Sequence, residues 1–481
     1  MYATVLATLA SLAAIVLPLM HGFSFMDGFN AAPPAELAAR RTTPAAVEPS
    51  GRTVLVVVDG LRLDRLPLLG LDRAPAWRRA ACTLETVLPS FSRPAYVALS
   101  TGVPPALSGV HTNDHEGPAR LESLWELARR AGLTTHLLAD GTDWWVELFP
   151  EAFTRTLLVP KADFVRAVAA EGLGARDVLL LHWVAADDEA HDFGVGPAYD
   201  DQVRAAGALV RDLMARLDPA RDVVLVTADH GHIDRGGHGG PEPEVMTVPL
   251  VAFGRGITDA PSCRGSIVDV PATVAALIGL PPPAANAGRA LPMVASPGPA
   301  SAFAPPAAPP PRAGSPWGMA LGIALVAGAL VLAARRPRPA LIALTWPAVA
   351  VLVYALVEPT LSLSAVWLED PWLEHMVLVL GLPALVVAVV VFGFVLRPEE
   401  RWVMLLPWSL AAVLPLAAAV GFHGSLDAGP RIGDPHGAFG LLVSDLVAAL
   451  GVGAALVVAA VLVVSSRLRR PAGGAPAGSA S

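Results

Sequence analysis

The feature that most constrains the fold is a series of long apolar runs in the C-terminal third of the chain. About 20 consecutive apolar residues are enough to cross a bilayer as a helix. Runs of about that length lie at 316–334, 340–357, 376–396, 402–421 and 441–464, and another covers residues 3–20. Only 16% of the 481 residues are charged, against roughly 25% in soluble domains. The chain is therefore not expected to be soluble throughout.

Charges in the connecting loops predict how these spans are oriented. Arginines lie in alternate connections, around residues 335–338, 397–401 and 467–470, and acidic residues dominate the connections between them. Loops rich in arginine stay in the cytoplasm. We therefore predict an integral protein of the cytoplasmic (plasma) membrane, in which residues 1–25 form a retained signal anchor. The part before the first C-terminal span is then extracytoplasmic.

Composition divides the chain further. It predicts a linker at residues 26–50, a globular catalytic domain at 51–290 and a Pro/Ala linker at 291–315. Residues 316–470 form a membrane domain of five helices, and 471–481 form a cytoplasmic tail. The net charge of −8, with no basic cluster, argues against a nucleic-acid partner. Two cysteines, Cys82 and Cys263, exclude a disulfide scaffold but leave a single bridge open.

Three apolar, β-rich runs predict the centre of the globular domain. They end at Asp59, at Asp187 and His191, and at Asp229 and His230. Runs that are apolar on both faces indicate buried parallel strands, and helical patterns at 119–131 and 198–216 fit the crossovers. We predict an α/β domain whose mostly parallel sheet is flanked by helices, between an N-terminal anchor helix and a C-terminal α-helical membrane bundle. Ligands of such sheets bind at the carboxyl ends of the strands.

Two further segments carry candidate functional groups. Ser92 precedes Pro94 and a short helix-like run. A hydroxyl there lies beside exposed N–H groups of a helix, which favour a phosphate. His238 lies in the sequence GGHGG, whose glycines allow the backbone to approach closely.

Together these residues predict a centre for two divalent metal ions. Imidazole and carboxylate ligands suit zinc, or manganese, better than calcium. Two such ions can clamp a phosphoryl group and lower the pKa of a serine hydroxyl. Each motif taken singly is as well explained by a turn, a helix face or a flexible loop. The predicted ligands are Asp59, Ser92, Asp187, His191, Asp229, His230 and His238.

The same residues resemble the alkaline phosphatase superfamily, in particular its type I phosphodiesterase/nucleotide pyrophosphatase branch. The resemblance implies that Ser92, in the segment from Pro89 to Gly102, is the catalytic nucleophile. It implies that Asp187, His191 and His238 hold one metal ion. The other ion would be held by Asp59, Ser92, Asp229 and His230.

A second resemblance, to the GPI ethanolamine-phosphate transferases, covers about residues 51–255. It rests on Ser92-Arg93-Pro94, on Leu181-His182 with the Asp187–His191 pair, and on the sequence from Thr227 to Gly231. It implies a membrane-anchored phosphotransferase or phosphodiesterase that acts on lipid-linked phosphoesters such as phosphoethanolamine head groups. The donor and the acceptor are not implied. A nucleotide pyrophosphatase/phosphatase-type hydrolase and a non-catalytic, lipid-binding membrane protein are the alternatives.

For several residues the sequence supports two interpretations. Ser90 is a rival nucleophile to Ser92. Asn113 and Asp114 are candidates for holding the phosphate, although a turn is their simpler role. Asp445, near the end of the last span, is either a functional group in the membrane or a hydrated residue at its surface. The same choice between head-group contact and solvated loop applies to His423, Asp427, Asp434 and His436.

Overall fold

A computed structural model gives the structure of the chain over most of its length. It describes residues 9, 11–20, 32–44, 51–73, 76–174, 177–299, 303, 337–357, 364, 372–423 and 435–468. The predicted span at 316–334, parts of both predicted linkers and the tail at 471–481 lie outside the described residues. Asp427 and Asp434 lie outside them as well, and so do the side chains of His423 and His436.

An eight-stranded sheet forms the middle of the globular part. The strands are β1 (Thr53–Val58), β2 (Arg79–Glu85), β3 (Thr134–Asp140), β4 (Arg155–Val159), β5 (Asp177–Trp183), β6 (Val223–Thr227), β7 (Thr247–Gly254) and β8 (Cys263–Ser266). Their order is β4-β3-β5-β1-β6-β7-β2-β8. Within this sheet β7 pairs antiparallel with both of its neighbours, whereas every other pairing is parallel. The predicted α/β fold with a mostly parallel sheet is confirmed.

The three strands predicted from sequence are neighbours at the centre of this sheet. In β1, Val56 pairs with Leu181 of β5 on one side and with Val226 of β6 on the other. All residues of the three strands are buried. A strand covered on both faces must be apolar along its whole length, which explains the unbroken runs of Val and Leu.

Helices connect the strands of this sheet and flank it. They are α1 (Ser11–Met20), α2 (Ala35–Ala38), α3 (Ser92–Thr101), α4 (Pro105–Ser108), α5 (Leu124–Arg130), α6 (Trp144–Leu148), α7 (Lys161–Ala170), α8 (Ala185–Phe193), α9 (Pro197–Met214), α10 (Pro243–Met246) and α11 (Val270–Ile278). The predicted crossover helices correspond to α5 and α9. Helix α5 begins later than predicted because the Ser123 side chain caps it by accepting the Glu126 N–H.

The chain that leads into the globular part is fastened to it at Glu122. This buried carboxylate accepts the N–H of Thr42 (2.9 Å) and the N–H of Ala284 (2.8 Å), and it pairs with Arg130. Close by, the Arg40 guanidinium lies over the ring of Phe303, 5.2 Å from its centre. Residues 32–44, predicted as linker, thus pack on the domain. Packing also continues past residue 290, since Met293 and Val294 are buried.

The two cysteines are joined in a disulfide bond. Cys82 of β2 and Cys263 of β8 face each other in the parallel ladder at the edge of the sheet. The bridge left open by the sequence is therefore present. It fixes the short outermost strand β8, which has a neighbour on one side.

In the described part of the C-terminal region, four long apolar helices pack against one another. They are α12 (Pro337–Val357), α13 (Trp372–Ala388, continuing as a π-helix over Val389–Val395), α14 (Arg401–His423) and α15 (Pro435–Leu468). Among the described residues, the segments Leu378–Val395 and Val443–Ser466 are long and apolar enough to cross a membrane. Helix α1 joins this cluster, because the hydroxyls of Ser11 and Ser409 are 2.9 Å apart in its interior.

Two tryptophans fasten neighbouring helices to α15. The indole N–H of Trp346 donates to the Val447 carbonyl (2.8 Å), and that of Trp408 donates to the Gly451 carbonyl (2.9 Å). The Trp346 ring lies directly on Gly451, where an added Cβ would come within 1.9 Å of its nitrogen. Absence of a side chain at residue 451 thus permits the close approach.

We predict that Gly451→Ala loosens this contact. The new methyl group overlaps the Trp346 ring and must displace it, at a cost of about 1–3 kcal/mol. The melting temperature of the detergent-purified protein should fall. Gly453→Ala, two residues along the same helix, is the matched control, because nothing lies within 4 Å of its added Cβ. Equal melting temperatures for the two variants would contradict the prediction.

Candidate active site

The predicted ligands meet because their strands are neighbours. Strands β5, β1 and β6 are adjacent and parallel, so their carboxyl ends share one edge. Asp59 follows β1 directly, and Asp229 and His230 follow β6. Asp187 and His191 lie four residues apart on α8, which begins just after β5, so they occupy one face of that helix. The sequence pattern therefore places five functional groups at one point.

One group of ligand atoms surrounds His230. Its Nε2 is 3.4 Å from Asp59 Oδ1 and 3.2 Å from Asp229 Oδ2. All three side chains are buried. These residues are three of the four predicted for one ion, and their ligand atoms are close enough together to bind the same cation.

A second group surrounds Asp187. The Nε2 atoms of His191 and His238 are 3.1 Å apart, and they lie 3.5 Å and 3.8 Å from its two carboxylate oxygens. These three residues are those predicted for the other ion. His232, which the sequence reasoning missed, also faces this carboxylate, with its Nε2 3.0 Å from Asp187 Oδ1. The sequence feature that points to His232 is its position, two residues after the predicted ligand His230.

The geometry of both groups fits divalent metal ions. Ligand atoms of one tetrahedral zinc ion, with bonds of about 2.0–2.3 Å, are separated by about 3.3 Å. The separations described above are close to this value. Several buried atoms in the site accept no hydrogen bond from the described residues. They are Asp59 Oδ1, Asp187 Oδ1, Asp229 Oδ2 and His232 Nε2. A bound cation would stabilise the ionised form of buried carboxylates of this kind.

Electrostatics in the metal-free site agree with a cation-binding role. Burial raises the pKa of Asp229 well above its usual value, and the charges of Asp59 and Asp187 raise it further. Burial lowers the pKa of His230 to about 4 and also lowers that of His238 well below the usual range. The two imidazoles are therefore neutral at pH 7, which leaves their lone pairs available to a metal ion.

Ser92 begins α3 and points into the first group. Its Oγ is 3.1 Å from His230 Nε2. The other ring nitrogen, Nδ1, lies 3.1 Å from the Gly231 carbonyl, which can only accept. His230 thus donates through Nδ1, and its Nε2 accepts the Ser92 hydroxyl. A hydroxyl with that partner is well placed to become a nucleophile.

Ser90, the rival nucleophile, has a different task. Its hydroxyl donates to the Gly240 carbonyl (2.7 Å) and accepts the Gly239 N–H (3.0 Å). Its carbonyl accepts from His238 Nδ1 (3.0 Å), which leaves His238 Nε2 bare toward the ligand group. Ser90 therefore holds the His238 loop against the nucleophile segment.

Asp59 is oriented by residues that the sequence did not single out for this role. The Tyr96 hydroxyl donates to Asp59 Oδ2, and His182 Nε2 is 2.9 Å from the same oxygen. Stacking on Trp145, with ring centres 4.2 Å apart, holds the Tyr96 ring. Oδ1 of Asp59 is left for the ligand group. Partners of this kind orient metal ligands.

Asp140 has a similar role for α8. It ends β3, and its Oδ1 accepts the N–H of Val184 at 2.5 Å, where α8 begins. The carboxyl group thus fixes the start of the helix that carries Asp187 and His191. Burial raises the pKa of Asp140 to about 6.

The candidate phosphate ligands are also located. Asn113 lies in a turn, where its Oδ1 accepts the Arg93 N–H (3.0 Å) in the first turn of α3. The Arg93 guanidinium pairs with Glu147 and lies over the Trp144 ring. Asp114 is exposed. Asp445 is buried in α15, within the C-terminal helices rather than among the ligands.

Comparison with curated proteins confirms the predicted resemblance. The chain is 26% identical over 249 residues to GPI ethanolamine phosphate transferase 2 of Eremothecium gossypii, covering 46% of this chain and 30% of that protein. It is 28% identical over 282 residues to the catalytic subunit of human GPI ethanolamine phosphate transferase 3, covering 50% and 25%. The match thus spans less than a third of the length of these relatives. No family model matches the chain.

Solved structures with a similar fold include two of bacterial origin. The C-terminal periplasmic domain of EcEptC from Escherichia coli is 13% identical, with a TM-score of 0.36, over 52% of this chain and 86% of that one. The lipoteichoic acid synthase LtaP from Listeria monocytogenes is 15% identical, with a TM-score of 0.36, over 54% and 78%.

We predict that Asp140→Asn changes how stability depends on pH. The folded carboxyl has a pKa of about 6 against an ordinary 3.8, so wild type loses stability as the pH rises from about 4 to 6. The loss is about 3 kcal/mol. Asparagine keeps the acceptor oxygen without the charge. The variant should melt at the same temperature as wild type at pH 4 and higher at pH 8. A pH-independent difference would contradict this.

We also predict that Tyr96→Phe weakens metal binding. The ring still stacks on Trp145, but Asp59 loses a hydrogen bond, and loss of such a partner lowers metal affinity by about 10-fold or more. Zinc titration of the metal-stripped protein measures the change. Tyr199→Phe is the control, since it removes a buried hydroxyl bonded to backbone groups of Gly60 and Arg62. Wild-type zinc affinity in Tyr96→Phe would show that Asp59 needs no orienting partner.

Proposed function

We propose that the chain is a membrane-anchored, metal-dependent phosphotransferase of the alkaline phosphatase superfamily. Ser92 is its nucleophile, and its substrates are lipid-linked phosphoesters such as those with phosphoethanolamine head groups. One observation carries the proposal. The Ser92 hydroxyl lies within hydrogen-bond distance of His230, which belongs to a group of side chains that could hold a metal ion. The 26–28% identity to ethanolamine phosphate transferases supports the choice of reaction.

The reaction takes two steps. In the first step Ser92 Oγ forms a bond to phosphorus while the bond to the leaving oxygen breaks, and the proton that the serine loses is balanced by the one that the leaving group gains to depart as an alcohol. In the second step an acceptor hydroxyl forms a bond to phosphorus while the Ser92–phosphorus bond breaks, and the proton that the acceptor loses is balanced by the one that restores the Ser92 hydroxyl. Ser92 is the first residue of α3, so the positive end of that helix lies next to the reacting hydroxyl and favours the negative charge of a phosphoryl group. Asn113, bonded through Oδ1 to the Arg93 N–H, has its amide donors available at the same place.

Two divalent ions, zinc or manganese, would neutralise the phosphoryl charge and lower the pKa of the serine hydroxyl when bound. Asp59, Asp229, His230 and the Ser92 oxygen would hold one of them. Asp187, His191 and His238 would hold the other. His232 supports this second set through Asp187.

A lipid-linked substrate is favoured by the position of the nucleophile segment. Phe91, between Ser90 and Ser92, is fully buried and belongs to the apolar cluster of the C-terminal helices. The site therefore lies beside helices apolar enough for a membrane. The disulfide bond supports an extracytoplasmic location of the domain, because such bonds persist in oxidising compartments.

Water could replace the acceptor alcohol, which would make the chain a phosphodiesterase or a pyrophosphatase-type hydrolase. Both reactions share the first step and differ in the fate of the phosphoserine. Assays with a lipid donor, with and without an acceptor alcohol such as a glycolipid, distinguish them by mass spectrometry of the product.

We predict that Ser92→Ala lowers turnover of bis(p-nitrophenyl) phosphate by at least about 1000-fold, because the covalent step needs the hydroxyl. Ser92→Thr keeps a hydroxyl and should retain part of the activity. A chelator should abolish wild-type turnover, and zinc should restore it.

Ser108→Ala is the matched control, since Ser108 is a buried serine in α4 and its Oγ accepts the Val110 N–H. It should retain wild-type activity. Equal turnover by Ser92→Ala and wild type would remove Ser92 as the nucleophile. Wild type that binds no metal and shows no turnover even with added zinc would favour a lipid-binding role.

A further inference from the structure

A serine from the C-terminal region reaches the loop that carries His238. Ser364 lies between α12 and α13 and is fully buried. Its Oγ accepts the Gly240 N–H at 2.8 Å and donates to Glu242 Oε2 at 2.7 Å. The donor and acceptor capacities of one hydroxyl are thus both used on the segment that follows His238.

The same segment is held from its other side by the nucleophile segment. Ser90 bonds the backbone of Gly239 and Gly240 and accepts from His238 Nδ1. Gly239 has a φ of +112°, and a Cβ there would lie 2.4 Å from the Phe91 ring. The His238 loop is therefore clamped between Ser90 on the catalytic domain and Ser364 on the connection between two membrane-domain helices.

We propose that Ser364 is a positioning residue for the metal ligand His238, so that the membrane domain completes the metal site. The inference rests on the proposed function for its catalytic consequence. Glycines at 236, 237, 239 and 240 give this loop many conformations when it is free. The hydrogen bond from the Gly240 N–H to Ser364 reduces that freedom. It thereby keeps His238 Nε2 facing His191 and Asp187.

The position of Ser364 also agrees with the charge pattern of the loops. The connection between α12 and α13 contains acidic residues and was predicted to lie outside the cytoplasm. The catalytic domain was predicted to lie on the same side. A direct contact between the two requires this shared location.

Zinc titration of the metal-stripped, full-length protein in detergent tests the proposal. Ser364→Ala should bind one of two zinc ions about 10-fold more weakly, as is typical when a partner of a metal ligand is lost. Ser364→Thr keeps the hydroxyl and should restore most of the affinity. The value of kcat/KM for bis(p-nitrophenyl) phosphate should fall with the affinity and recover at saturating zinc.

Ser409→Ala is the matched control, because Ser409 is a buried, hydrogen-bonded serine of the same helical cluster, bonded to Ser11 and the Leu405 carbonyl. It should bind zinc as wild type does. Wild-type zinc affinity at both sites of Ser364→Ala would overturn the proposal. If that variant fails to fold, Glu242→Ala removes part of the same contact from the catalytic domain and must weaken one zinc site.

The zinc measurement uses no substrate, so it separates the two proposals. A weakened zinc site together with an inactive wild type would support the role of Ser364 and contradict the proposed function. Intact zinc binding together with an active wild type would do the reverse.

Discussion

The structure depends on the gathering of three buried carboxylates at one edge of the sheet. Asp59, Asp187 and Asp229 lie where β1, β5 and β6 end, out of contact with bulk water. Repulsion between them makes this arrangement costly unless cations are bound. Three features hold these charges in place. The strands are buried rows of Val and Leu, Asp140 fixes the start of α8, and Ser90 and Ser364 bond the loop that carries His238.

Much of this site follows from local sequence. An apolar run that ends in Asp or His fixes both the strand and the position of the side chain at its carboxyl end. Ser92 could be found in the same way, because a serine close before a proline marks the first turn of a helix. The central sheet, and the meeting of Asp59, Asp229 and His230 at one edge of it, were accessible for these reasons.

Residues that support the ligands could not be found by the same reasoning. Tyr96 reaches Asp59 from a different element, and Asp140 reaches α8 from a neighbouring strand. Ser364 is 124 residues away in sequence from the backbone it holds. Their importance lies in contacts between elements that carry no local pattern. The sequence around a serine in an apolar region, or around a tyrosine in a helix, does not show whether that side chain contacts a metal ligand.

The joint at Glu122 has a mechanical consequence. Thr42 and Ala284 meet on one carboxylate, and Arg40 lies against Phe303 beside them. The incoming and outgoing tethers therefore leave the domain side by side. Tension on the incoming chain is carried at Thr42 by Glu122, a residue outside the strands, so it does not act directly on the strand ends that carry Asp59 and Asp229.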